Sequence, residues 1–566
     1  MKRYPQFIFV LFSALLLTVG CAKDNIVLVD PVTESDEADY IENTDFSQTV
    51  AVVFHTDAEA EVSGLTDSIS ASVNGNHVTI TNLSSECVYY ELSGATDNGS
   101  FKLYSTRKHA IALNDVSLTN PVGAAINVQA KRTFIVVNGS NILADGATYS
   151  ATPSDEDEKA AVFGEGQLIF SGTGTLTVNA QGKSGITSDD YVHIMEGPTL
   201  KVSSTAGHGI RGKDYILVSG GDIEVNVSAD MKKGFSTDGY VRFDGGTTQI
   251  TVNGGTAYDS EDGEYTGSAG IKADGKFLMN GGSLTITNSG TGGKGISCDG
   301  NGYFNGGTVR VTTTGSNYGS SGGGGFPGGG GSSNSDNSVS AKGIKFDGNL
   351  IFAGSTVVVN CAAHEGIEAK GSLDITAGEV YSYSAKDDAI NSGGDFTISG
   401  GAVYGYAPNN DGLDANGDFY VKGGLVYAIG ASSPEVGLDA NTEGNKQLYV
   451  QGGTLIVIGG LEQGASLTQS CYSTSSWSQN TWYALTVGST TYAFKTPASG
   501  GNALVVSGSS TPSLQTNVTV SDGEACFEGL CYQNATVTGG SSVTLSSYTG
   551  GNGGGGGPGG GGHGPF

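Results

Sequence analysis

Gly270-Ile271 opens a stretch that continues through Gly281-Gly282-Ser283-Leu284-Thr285-Ile286-Thr287 and closes on Gly295-Ile296, where the same glycine-aliphatic pair returns. The pair recurs along most of the chain: Gly185-Ile186, Gly209-Ile210, Gly234-Phe235, Gly343-Ile344, Gly366-Ile367, Ala389-Ile390, Gly412-Leu413 and Gly437-Leu438. Neighbouring aliphatic positions lie 23 to 25 residues apart except at two longer gaps, before Ile271 and before Ile344. A second anchor travels with the first, at Gly220-Gly221, Gly245-Gly246, Gly281-Gly282, Gly306-Gly307, Gly400-Gly401, Gly423-Gly424 and Gly452-Gly453. Self-similarity at this period marks a solenoid. The alternation in Leu284-Thr285-Ile286-Thr287 makes its elements strands, not helices. Each unit therefore reads as strand, tight turn, strand, and forms one coil stacked about 4.8 Å from the last. The expected fold is all-β, a single-stranded parallel β-helix with β caps. Adding Ile126 and Val162 as earlier anchors gives a stack roughly 50 Å long or more. Glycines suit the corners because they accept positive φ and close backbone approach.

Flanking segments set the expected boundaries. Residues 1–20 read as an export signal: Lys2 and Arg3 precede an apolar run from Phe7 to Val19 too short to span a bilayer. Leu17-Thr18-Val19-Gly20-Cys21 resembles a bacterial lipobox, which implies acylation of Cys21 and an outer-membrane lipoprotein exposed at the bacterial cell surface. Residues 21–45 are acidic and poor in apolar side chains, as in a flexible tether. The interval 46–119 is expected to hold a cap and the first coils, 120–461 the β-helix proper, and 462–548 a C-terminal β cap or small β module. The glycine-rich insertion 316–338 and tail 549–566 lack the apolar content to order themselves. Export permits disulfides, with Cys526 and Cys531 close in sequence, while Cys298 and Cys361 read as small core residues.

A formal charge of −29 excludes nucleic-acid binding through phosphates, which needs a basic surface. Acidic residues concentrate beside the late anchors, in His364-Glu365-Gly366-Ile367-Glu368, Asp387-Asp388-Ala389-Ile390-Asn391, Asp411-Gly412-Leu413-Asp414 and Leu438-Asp439. Carboxylates stacked one coil apart repel unless a cation lies between them. Glu365, Glu368, Asp387, Asp388, Asn391, Asp411, Asp414 and Asp439 are therefore the expected calcium ligands. Earlier coils carry Lys233, Lys294 and Lys342 before the anchor with Asp238, Asp274, Asp299 and Asp347 after it, an arrangement that can neutralise itself. A second column is aromatic: Tyr381, Tyr404 and Tyr427 align on the Gly-Gly anchors, with Tyr383 and Tyr406 two residues on. Outward rings one coil apart make a strip suited to the apolar face of a sugar, although tyrosine rows also reinforce strand pairing.

Taken with Leu143-Ala144-Asp145-Gly146-Ala147-Thr148-Tyr149, the Gly-Ile-Lys-x-Asp units at Gly270 and Gly343, and Phe326-Pro327 in the insertion, these features resemble the secreted carbohydrate-binding right-handed parallel β-helix proteins. That resemblance implies calcium and a polysaccharide partner, a plant cell-wall glucan or a polyuronate. The fold also resembles that of family 9 polysaccharide lyases, which gather aspartates around calcium and use a lysine base. Asp387-Asp388 matches their aspartate pair, but the third position is Asn391, and neither Lys386 nor Lys422 is clearly placed as the base. The expected protein is a monomeric, lipid-anchored, calcium-dependent polysaccharide binder without catalytic activity. The alternatives are a lyase acting by calcium-assisted β-elimination and a structural adhesin or stalk.

Overall fold

The computed structural model describes residues 36–153, 156–319 and 338–550. The signal segment, Cys21, most of the tether, the core of the glycine-rich insertion and the tail beyond Gly550 lie outside them. The chain divides into Met1–Asp36 and Glu37–Phe566, and the second unit holds the solenoid.

The repeat folds as its spacing predicts, into an all-β solenoid of about 15 turns. Strands of successive coils pair in parallel and in register. One ladder runs Ile186, Ile210, Phe235, Ile271, Ile296, Ile344, Ile367, Ile390, Leu413. A second carries Leu284 onto Val309, Val357, Val380, Val403 and Val426. A third stacks Phe277 on Gly302, Leu350, Leu373, Phe396 and Phe419. Their inward side chains form one continuous buried core. The two kinds of glycine divide the work. A Cβ on Gly295 would lie 2.2 Å from Val311 Cγ1 and 2.5 Å from the Gly343 carbonyl oxygen, so the anchor glycine allows close approach. Gly282, second of its pair, has φ +78° and turns the corner.

The two longer gaps are insertions at one corner. The first forms a hairpin, Ala257–Asp259 against Glu264–Thr266, and the second leaves the stack after Thr313 and returns through Val339.

The end of the expected tether is the one boundary that differs. Parallel stacking begins at Gln48–Phe54 on Val88–Thr96, so the first coils start with residue 48. The stretch 37–45 is not part of a tether. It forms two short 3-10 turns, and Asp39 is buried, where its carboxylate accepts from Tyr191 Oη at 2.6 Å and meets Arg132 at 3.1 Å and His193 Nδ1 at 2.8 Å. An acidic composition concealed one residue with three partners in the coil. At the other end the chain builds a closed four-stranded barrel from Trp482–Val487, Thr490–Lys495, Ser513–Cys526 and Cys531–Val543. The six cysteines among the described residues are free thiols. Cys298 and Cys361 are buried as expected, and Cys526 faces Cys531 across the barrel hairpin.

Candidate functional site

The outer side of the anchor ladder carries two lanes of ionisable groups. Two residues before each anchor stand His208, Lys233, Ala269, Lys294, Lys342, Glu365, Asp388 and Asp411; one residue after stand Arg211, Ser236, Lys272, Ser297, Lys345, Glu368, Asn391, Asp414 and Asp439. The lanes converge, because Lys342 Nζ reaches Glu365 at 3.1 Å and Glu368 at 2.6 Å. Coils before this point present basic groups and coils after it acidic ones. The register, with about 4.8 Å between coils, puts Glu365, Asp388 and Asp411 next to one another, whereas Ala269, Ser236 and Ser297 interrupt the basic half.

The structure separates the expected calcium ligands into two sets. Glu365 is shared by Lys342 and the His364 imidazole, Glu368 is paired with Lys342, and Asp387 lies 2.9 Å from His364 Nδ1. Burial opposes ionisation of Glu365 and Asp387, yet the His364 imidazole overcomes it in both, and Lys342 adds to it at Glu365, so both pKa values fall below the ordinary range. His364 is raised to about 9 by Asp387 and Glu365 against its own burial. Ligand atoms of His364, Glu365 and Asp387 lie close enough to share one ion, but Lys342 and His364 already supply the positive charge. Glu365, Glu368 and Asp387 stand here as members of an ion-pair cluster with Lys342 and His364.

The second set has no such compensation. Among the described residues, no cationic side chain pairs with Asp388, Asp411, Asp414 or Asp439. Asn391 bridges two of these acids, its amide donating to Asp388 at 3.1 Å and Asp414 at 2.9 Å. Asp388 also accepts from the Asp411 backbone N–H at 3.2 Å, and Asp411 from that of Val436 at 2.5 Å. Burial, then Asp387, pushes Asp388 up to about 8. Burial, then Asp439 and its neighbours, pushes Asp411 up to about 10 and Asp414 well above the carboxylate range. Glu462, which the sequence did not single out, joins them and is raised to about 7 by burial and Asp439. These are hard oxygen donors in a desolvated, mutually repelling stack, and the donor set fits a calcium ion.

The early lysines do not meet the aspartates proposed to neutralise them. Asp238 pairs with Arg211 at 2.7 Å, Asp274 and Asp299 with Lys272 at 3.0 and 2.5 Å, and Asp347 with Lys345 at 2.8 Å. The partners come from the lane after the anchor, and Lys233 and Lys294 are left over. Burial, then neighbouring lysines, holds both down to about 8. Of the lysines considered as a base, Lys386 is exposed, and Lys422 stands over the Tyr420 ring at 5.1 Å on a different ladder from Asp388.

The tyrosine row points outward, but the barrel covers it. Tyr404 and Tyr427 are 3% and 0% exposed, so neither presents a ring to a sugar. Tyr404 packs on Phe527 at 5.6 Å and Tyr427 on Phe494 at 5.5 Å, while Tyr427 Oη donates to the Lys495 carbonyl at 2.9 Å. This corrects their expected role: they bind the barrel, because a distant segment buries them. Tyr381, Tyr383 and Tyr406, with the little of Tyr404 left uncovered, line a cleft of about 440 Å³ between coil and barrel, facing Asn480, Lys495 and Pro497.

One further constellation has the connectivity of a hydrolase triad: Asp39 to His193 Nδ1, and His193 Nε2 to Ser219 Oγ at 2.9 Å. The imidazole is 0% exposed, so no leaving group reaches it, and the chain of bonds serves to fasten residues 37–45. Asp145 of the Asp-Gly-Ala-Thr-Tyr motif is likewise structural, since its carboxylate takes the Gln181 N–H at 2.5 Å and Tyr149 Oη at 2.8 Å.

A family model described as carbohydrate-binding domain-containing protein matches residues 74–254 and 199–389, together more than half of the chain. The protein belongs to that family, and its solenoid is a carbohydrate-binding domain. Among solved structures, the polysaccharide lyase-like protein from C. thermocellum, as a gadolinium derivative, is 21% identical to it. That likeness covers 47% of this chain and 92% of the other, with a TM-score of 0.34. No curated protein matches the chain.

Proposed function

We propose that this chain is a calcium-dependent polysaccharide-binding protein, anchored through acylated Cys21 to the bacterial outer membrane and without catalytic activity. The observation that carries the calcium reading is the uncompensated cluster of Asp388 on one coil with Asp411 and Asp414 on the next. Three buried carboxylates cannot ionise together without a cation. Calcium would be held by these three with Asp439 and Glu462, supplying the positive charge that Lys342 supplies one coil earlier. It would also offer a coordination point to a uronate carboxylate or sugar hydroxyls. The cleft with Tyr381, Tyr383 and Tyr406 gives a sugar ring an aromatic wall and polar partners.

Absence of catalysis is supported by distance. The lysines held near 8 belong to other coils: Lys294 lies three coils from Asp388, about 14 Å, beyond reach of a sugar bound to a cation there. General-base catalysis requires hydrogen-bond reach.

Calcium titration calorimetry on the purified protein tests the site. Wild type should take up calcium, and Asp388→Asn with Asp411→Asn should lower the stoichiometry; an unchanged stoichiometry removes the site. Incubation with polygalacturonate and calcium, monitored for the absorbance of unsaturated products, should give none. Their accumulation would install a lyase in place of the binding protein.

A further inference from the structure

The corner from which both insertions leave the stack gathers features that the acidic stack and the cleft do not use. The hairpin Ala257–Asp259/Glu264–Thr266 pairs Tyr258 directly across from Tyr265, their rings 5.3 Å apart, and Tyr258 is 56% exposed. From the second insertion Tyr318 brings its ring within 5.1 Å of Tyr265 and is pinned by two backbone bonds to Val339, at 2.9 and 3.0 Å. Three tyrosines from two insertions thus form one cluster, although no repeat position predicts any of them. Nothing in the core needs the Tyr258 ring.

The stem of the hairpin is tied to the corner segments that carry the two leftover lysines. Met231 N–H donates to the Gly255 carbonyl at 2.8 Å, Thr256 Oγ1 to the Thr291 carbonyl at 2.8 Å, and Lys294 N–H to the Ser268 carbonyl at 2.9 Å. Lys233 Nζ donates only to the Met231 carbonyl, at 2.6 Å, and among the described residues the Lys294 ammonium has no hydrogen bond or ion pair. Between them in the lane stands Ala269, a small neutral residue that separates the two ammonium groups by one coil. The nearest acid on the hairpin, Asp259, acts on Lys233 only at long range, and Asp274 and Asp299 are taken by Lys272.

We propose that Lys233 and Lys294, flanked by Tyr258, Tyr265 and Tyr318, form a second glycan subsite that binds an anionic sugar residue. Its carboxylate or sulfate would pair with these two ammonium groups, and the sugar ring would rest on the tyrosines. Two ammonium groups about 10 Å apart without an ion-pair partner suit an anion between them, and the exposed Tyr258 ring with half-buried Tyr265 and Tyr318 suits the ring's apolar face. Burial, then neighbouring lysines, holds both near 8, and a bound anion would offset the repulsion from those neighbours. The inference rests on the polysaccharide-binding reading and places an acidic ligand on the basic half of a strongly acidic protein.

Affinity electrophoresis of the full chain tests it, in gels containing polygalacturonate, dextran sulfate or hydroxyethyl cellulose. Lys233→Gln with Lys294→Gln should weaken retention by the acidic polymers about tenfold, the usual worth of a charged hydrogen bond, and leave the neutral polymer unaffected. Loss on only one acidic gel identifies the substituent as carboxylate or sulfate. Tyr258→Ala, at an exposed position that cannot unfold the coil, should weaken the same retention. Lys386→Gln, an exposed lysine elsewhere, should not. Unchanged retention on both acidic gels in the lysine and tyrosine variants overturns the subsite while leaving the polysaccharide reading intact. Wild type that no polymer retains overturns both.

Discussion

Lys342 Nζ lies 2.6 Å from a Glu368 carboxylate oxygen on the next coil, and this contact is where the ionisable track changes sign. The pair is nearly buried, with side-chain exposures of 11% and 13%, and Lys342 also holds Glu365. Lys342→Gln would leave Glu368 without its cation and Glu365 with His364 alone. The expected cost is about 3 kcal/mol, the lower end for removing one partner of a buried pair, read as a shift in the urea midpoint. Calcium should stabilise this variant more than it stabilises wild type, since Glu365 and Glu368 then need the same compensation as Asp388. Equal stabilisation would place calcium elsewhere.

In calcium-free buffer the late coils should lose stability as pH rises from about 6.5 to about 8, with Lys233 and Lys294, held down to about 8, opposing the trend only at the upper edge. Asp388 and Asp411, at about 8 and about 10, keep protons in the folded chain that the unfolded chain releases near pH 4. The folded state therefore binds more protons throughout the window, and the slope of stability with pH is negative. His364, raised to about 9, has the same sign. Calorimetric melting across this range should show Tm falling with pH, and Asp388→Asn with Asp411→Asn should flatten the fall. Calcium, which binds the ionised form, should stabilise more at the upper end. A Tm that climbs with pH would contradict the arrangement.

Tyr427 fixes the barrel to the coil. Tyr427→Phe removes the bond to the Lys495 carbonyl and should cost about 1 kcal/mol. Tyr427→Ala empties a fully buried site and should cost about 3 to 5 kcal/mol. Limited proteolysis should then cut within 482–543 before the solenoid is attacked. If coil and barrel are digested together, this residue is not the main fastening.

Gly295→Ala tests the close-packing role of the anchor glycine. The added methyl would meet Val311 Cγ1 at 2.2 Å and the Gly343 carbonyl oxygen at 2.5 Å. Overpacking should cost about 1 to 3 kcal/mol. By contrast, Gly75→Ala has nothing within 4 Å and is penalised only by its φ of +61°. Urea denaturation of the two variants separates steric from conformational demand, and equal destabilisation would reject the distinction.

The period of Gly-Ile and Gly-Gly anchors determined the solenoid and its register. A stacked coil is a local object in which each strand meets only the equivalent residue one repeat away, so sequence spacing is spatial spacing. For the same reason the acidic column from Glu365 to Asp439 was legible as a column. The sequence could not say which of its acids are already paired, because that depends on how far the side chains of two lanes reach. Lys342 serves Glu365 and Glu368, while Asp388, Asp411 and Asp414 have no such neighbour. The same limit misassigned the early lysines, whose aspartates pair instead with Arg211, Lys272 and Lys345. Contacts between segments far apart in the chain were decided by tertiary structure alone. Phe527 and Phe494 bury Tyr404 and Tyr427, Asp39 locks onto His193, and Tyr318 meets Tyr265 from a separate insertion. Periodicity sets which face a side chain occupies, but only the folded chain determines what covers that face.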